Sequence, residues 1–103
     1  MTEPTRIRTQ LTGDIATVRV LMGHAMETGL RKDANGQPVP AWFIREVTAQ
    51  LNGESVLAAQ WGPSVAKNPF LQFNIRGVSP GDRISLTWVD SRGEQRSDEA
   101  LVS

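Results

Sequence analysis

The sequence predicts an all-β domain, an immunoglobulin-like β-sandwich of about seven strands. Apolar residues recur mainly at every second position, the period of a half-buried strand. Clusters of Gly, Pro, Asn and Asp interrupt that alternation at short intervals. No stretch carries the three-to-four spacing of an amphipathic helix. A small barrel shares this signature and is the alternative; the strand count and spacing favour the sandwich.

The elements follow in order. Arg6 to Leu11 is a first strand, turned by Thr12-Gly13-Asp14. Ala16, Val18, Val20 and Met22 then form one strongly apolar face, alternating with Thr17, Arg19 and Leu21. A long segment without strand character follows. Extended patterning resumes at Trp42 and runs to Leu51. Phe43, Val47, Ala49 and Leu51 share one face there, with Trp42 and Ile44 on the other. Arg45 falls on the apolar face, so a β-bulge or a covered second face is expected near it. Asn52-Gly53 is a strong hairpin signal, because a type I′ turn needs positive φ at both central residues. Ser55 to Trp61 is the return strand, ended by Gly62-Pro63, and Ser64 to Pro69 is a second loop. Leu71, Phe73 and Ile75 make a half-buried strand. Ser79-Pro80-Gly81-Asp82 turns the chain into the next, with Ile84, Leu86 and Trp88 facing inward. Asp90-Ser91-Arg92-Gly93 makes the last hairpin. Glu94 to Val102 is a polar closing strand, suited to a sheet edge because its charges discourage further pairing.

The chain of 103 residues reads as a single domain over residues 1–103. Acidic and basic side chains balance at eleven each, so no global field draws in nucleic acid or an anionic membrane. No stretch approaches the length of a membrane-spanning apolar helix. Cysteine is absent, which removes disulfides, thiolate nucleophiles and thiolate metal sites together. Met1 to Arg6 has no apolar core and does not read as a signal peptide. Taken alone, the chain is expected to stay in the cytoplasm unless another protein carries it out.

The long segment holds the single histidine, His24. A general base needs a nucleophile within reach and a group to orient its ring; Ser64 and Ser85 are far away in sequence, and neither stands in a nucleophile-elbow context. A metal needs partner ligands, and there is one histidine and only scattered carboxylates. The plainer reading is a histidine at a strand end that hydrogen-bonds its own loop or a partner. Asp33-Ala34-Asn35-Gly36 starts like a calcium loop, but Gly36 is fourth rather than sixth and the twelfth position is Ile44. Asn35-Gly36 is then a tight turn. Arg31 and Lys32 have the chemistry to hold an oxyanion, but beside Glu27 and Asp33 they read as self-paired surface. Trp42, Trp61 and Trp88 read as core or interface residues rather than a stacking platform. No Gly-rich phosphate loop opens a helix. Loops this long are usually functional or disordered. This one mixes Met22, Met26, Leu30, Pro38, Val39 and Pro40 with charges, a composition suited to a protein partner.

The run His24-Ala25-Met26-Glu27-Thr28-Gly29-Leu30-Arg31-Lys32-Asp33-Ala34-Asn35-Gly36, followed by Val39-Pro40-Ala41-Trp42-Phe43-Ile44, resembles the signature segment of the SoxZ family. The likeness continues through Asn52-Gly53, Gly62-Pro63-Ser64, Asn68-Pro69-Phe70 and Thr87-Trp88-Val89-Asp90, over about residues 15 to 100. It implies an immunoglobulin-like fold and a non-catalytic subunit of the SoxYZ carrier of thiosulfate oxidation. In that complex SoxY carries sulfur intermediates on a cysteine of its glycine-rich C-terminal arm. The resemblance further implies a heterodimer with SoxY, transient docking of Sox enzymes, no cofactor and no metal. It also implies a periplasmic destination, reached as a passenger on SoxY's export signal. The residues matching the family pattern are expected at partner interfaces: His24, Met26, Glu27, Arg31 and Asp33 on the long segment, and Asn68, Pro69 and Phe70 on the second loop. The competing expectation is a small solute-binding or hydrolytic domain in which His24, Arg31 and either Asp33 or Glu27 converge on a pocket.

Overall fold

The computed structural model describes residues 4–103. Seven strands form two antiparallel sheets: β1 (Arg6–Thr12), β2 (Ile15–Leu21), β3 (Ile44–Leu51), β4 (Glu54–Gln60), β5 (Phe70–Arg76), β6 (Arg83–Asp90) and β7 (Gln95–Leu101). One sheet has the order β1-β2-β5 and the other β4-β3-β6-β7. This is the expected immunoglobulin-like sandwich, and β7 lies at a sheet edge as its charges suggested.

Alternation places the core. Ala16, Val18 and Val20 of β2 are fully buried, as are Val47 and Ala49 of β3 and Ile84, Leu86 and Trp88 of β6. Each large apolar side chain so enclosed contributes about 1.5–3 kcal/mol. The turns have the predicted chemistry. Asn52 and Gly53, with φ of 50° and 87°, close a two-residue hairpin between Leu51 and Glu54. Gly13, at φ 63°, opens the β1–β2 turn, where a positive φ is needed at the first central position.

One face assignment is corrected. Ile44 was expected opposite Val47 and Ala49, yet it is buried with them. The register of β3 on β6 slips between Ile44 and Glu46, so the bulge expected near Arg45 is present. One extra residue there turns Ile44 onto the core face.

Topology gathers the long connections at one end. β2 ends where β5 begins, Leu21 opposite Phe70. β3 begins where β6 ends, Ile44 opposite Asp90. The 22–43 segment, the 61–69 loop and the β6–β7 hairpin therefore share that end, and only short turns occupy the other. The molecule measures 54 × 21 × 21 Å. An eight-residue strand spans about 26 Å, so much of the length comes from connections beyond the sheets.

Candidate functional site: a buried histidine–aspartate clasp and a protruding ribbon

The 22–43 segment was expected to be an open loop. It is instead an irregular antiparallel ribbon. Glu27 and Trp42 exchange backbone hydrogen bonds of 2.6 and 2.9 Å. Further out, the Val39 amide donates to the Arg31 carbonyl and the Asp33 amide to the Gln37 carbonyl. Period-two reading misses this ribbon because it buries almost nothing: residues 30–38 are exposed throughout, so no apolar alternation is imposed.

The tip is a turn over Asp33-Ala34-Asn35-Gly36. Gly36 takes φ 77° and its amide donates to the Asp33 carbonyl. Asp33 Oδ1 accepts from the amides of Asn35 and Gln37, at 2.9 and 3.0 Å. The β6–β7 hairpin repeats this construction in Asp90-Ser91-Arg92-Gly93. Gly93 takes φ 84°, and Asp90 Oδ1 accepts from the amides of Arg92 and Glu94 at 2.9 Å each. Both are Asx turns, in which a side-chain oxygen stands in for a backbone acceptor. They differ in the second carboxylate oxygen. Asp33 is exposed, whereas Asp90 is wholly buried.

Asp90 Oδ2 accepts two side-chain hydrogen bonds, from His24 Nε2 at 3.0 Å and Trp42 Nε1 at 2.7 Å. The carboxylate thus holds four donors. Burial pushes its pKa up, but hydrogen bonds from the His24 and Trp42 side chains, then from the Arg92 and Glu94 amides, prevail and hold it below the usual 3.8. His24 has its other ring nitrogen occupied as well: Nδ1 accepts the Met26 amide at 3.0 Å. That pairing fixes the neutral tautomer with its proton on Nε2. The ring lies between two tryptophans, tilted against Trp42 at 4.9 Å and edge-on to Trp88 at 5.2 Å. Arg92 covers the outer face of Trp42, 4.1 Å from the ring centroid.

The backbone of His24 is held equally firmly. Its amide donates to Asn68 Oδ1 at 3.2 Å, and its carbonyl accepts from the Asn68 amide at 3.0 Å. Asn68 achieves this at φ 52°, whereas a residue before proline ordinarily takes extended geometry. Met26 also sits at positive φ, 50°, an unusual state for a non-glycine residue. Its Sδ lies 3.2 Å from the Ile44 amide and accepts from it. Gly29 takes φ 88°, and a Cβ there would stand 3.2 Å from the Ala41 Cβ, so the two ribbon strands approach closely only because the side chain is absent.

The predicted site residues divide into two groups. His24, Met26 and Pro69 lie inside, as braces. Arg31, Asp33, Asn68 and Phe70 are exposed, and Glu27 is half-buried. Glu27 and Arg31 form a forked ion pair, with contacts of 2.7 to 3.1 Å. This pair, led by its hydrogen bond, lowers the Glu27 pKa and raises that of Arg31. His24 therefore faces Asp90 while Arg31 faces Glu27, and the convergence that a solute-binding or hydrolytic site requires is not formed. An Asp–His pair superficially suits a hydrolase, but here both ring nitrogens are engaged and the side chain is 2% exposed. No lone pair remains to take a substrate proton. Among the described residues, no three of His, Cys, Asp and Glu are grouped as metal ligands would be.

Asp90 is the residue that residue-by-residue reading passes over. The signal is present: Ile84, Leu86 and Trp88 face inward, so period two places a carboxylate at 90 on the same buried face.

Comparison with known proteins agrees with the fold and names the family. A superoxide reductase in the oxidised state, solved at 2.0 Å resolution, superposes with a TM-score of 0.64 at 14% identity, covering 99% of this chain and 89% of that one. That likeness is one of fold alone. No curated protein matches. The family model of the sulphur oxidation protein SoxZ matches residues 5–101, from just before β1 to the end of β7. The chain belongs to the SoxZ family and so to the machinery of sulfur oxidation.

Proposed function

We propose that this protein is the non-catalytic partner in a SoxYZ carrier. It binds SoxY as a heterodimer, steadies it, and helps present the SoxY cysteine with its sulfur cargo to Sox enzymes during thiosulfate oxidation. The complex works in the periplasm, and the chain arrives there with SoxY. The observation that carries this reading is the pairing of the family match with the clasp. The signature residues His24, Met26, Asn68 and Asp90 are tied to one another and to neighbouring turns by hydrogen bonds, so they shape a surface instead of performing chemistry. What they shape is the ribbon, which leaves Leu30 87% exposed beside the Glu27–Arg31 pair. An apolar side chain held that far into solvent, rimmed by charge, suits a partner surface. Co-expression with SoxY followed by size-exclusion chromatography tests it: the two chains elute together in equal amounts, and this chain alone turns over no thiosulfate.

A further inference from the structure

The outer face of the β1-β2-β5 sheet carries a charge cluster that no described residue offsets with an ion pair. Register places Arg8 directly opposite Arg19, with Arg6 on the diagonal. All three are exposed. Like charges directly opposed across a strand pair destabilise a sheet. Elsewhere Arg31 pairs with Glu27, Arg83 with Glu99 and Arg96 with Asp98, while Arg45, Arg76 and Arg92 form no ion pair among the described residues. Here, among the described residues, Arg6 and Arg8 have no ion pair or side-chain hydrogen bond, and Arg19 reaches only the neutral Gln72 Oε1 at 3.2 Å. The overall charge is zero, so this concentration is local. Beside it lies an exposed apolar pair. Leu21, opposite Arg6, is 41% exposed, and its other neighbour Phe70 is 60% exposed.

We propose that this face docks an acidic surface of a second protein partner, distinct from the one held by the ribbon. The partner presents carboxylates to Arg6, Arg8 and Arg19 and an apolar side chain to Leu21 and Phe70. Guanidinium groups take carboxylates through forked hydrogen bonds. Arginine and phenylalanine are the residues enriched in interface cores. Arg6 lines a hollow with Leu21 and Asn68, but Arg8 and Arg19 lie outside it, so the cluster and its apolar flank favour a protein over a single small oxyanion, and over nucleic acid, which wants a longer basic track. Such a contact is steered by charge and weakens with salt.

The test titrates the ¹⁵N-labelled protein with the peptide acetyl-Glu-Glu-Phe-Glu-Glu-amide in about 20 mM NaCl, comparing wild type with the Arg8→Gln/Arg19→Gln double variant. Wild type shifts the amides of residues 6–8, 19–21 and 70. Binding weakens about five-fold or more in the variant and again at about 300 mM NaCl. The variant melts no lower than wild type, because the opposed charges are gone. Shifts absent from this face, or unchanged binding by the variant, overturn the proposal. Tighter binding of duplex DNA at the same amides makes it a nucleic-acid surface, and self-association through them makes it a contact between copies; either result also overturns it. SoxY co-purification is measured on the same variant. Its retention separates this face from the ribbon, and its loss assigns the face to SoxY and removes the second partner.

Discussion

His24 donates from Nε2 to Asp90 Oδ2 across 3.0 Å, and both side chains are closed off from solvent. The histidine comes from the ribbon base and the aspartate from the β6–β7 turn, so this bond fastens the ribbon to the sandwich. Removing one partner strands the other. Asp90→Ala loses four hydrogen bonds and is expected to cost about 3–5 kcal/mol, lowering the thermal midpoint by more than about 12 °C. His24→Ala costs somewhat less, since Trp42 and two amides still hold the carboxylate. Chemical denaturation of both variants checks the order.

Acid loosens the clasp. Because the folded-state pKa of Asp90 lies below its usual value, its contribution is complete above that usual value and disappears as pH falls through the folded one. Urea denaturation between about pH 6 and about pH 3 should show stability falling below about pH 4, and the fall should be shallower in Asp90→Asn. Asp82 and Asp98, also held low by hydrogen bonds that outweigh any burial, and Glu27, held low by its hydrogen bond with Arg31, add to the slope.

Gly29 tests the ribbon itself. Gly29→Ala combines a left-handed backbone with a Cβ 3.2 Å from that of Ala41, and is expected to cost about 1–3 kcal/mol. Gly13→Ala has positive φ but open space around the new atom, and costs about 1 kcal/mol. Hydrogen exchange distinguishes them: in Gly29→Ala the Glu27 and Trp42 amides, which close the ribbon base, lose protection.

The sandwich was legible because alternation reports burial directly in the core strands, and hairpin turns place β4 and β7 beside them. Ile44 escaped, since a bulge shifts the period by one and its effect on neighbours depends on which residue carries it. The ribbon escaped for the opposite reason: it buries little, and its order comes from backbone pairing, from the Asx turn at Asp33, and from Met26, Gly29 and Gly36 at positive φ. The clasp joins residues 66 apart in sequence. His24 drew notice as a lone histidine, while Asp90 passed as an ordinary turn residue. Only the fold shows that one aspartate performs both tasks.

Arg31 separates surface from scaffold. Its side chain is exposed and, among the described residues, pairs with Glu27 alone, so Arg31→Ala should move the thermal midpoint by no more than about 5 °C. The same change should weaken SoxY binding about five-fold or more. Calorimetry and titration on one preparation measure both.

The most direct measurement is the mass of the complex formed when purified SoxY and this protein are mixed at micromolar concentration, read by light scattering during size exclusion. A single species with one copy of each chain, formed by wild type and lost when Gly29→Ala deforms the ribbon, is the predicted result. Two separate peaks from well-folded wild-type chains would contradict the account.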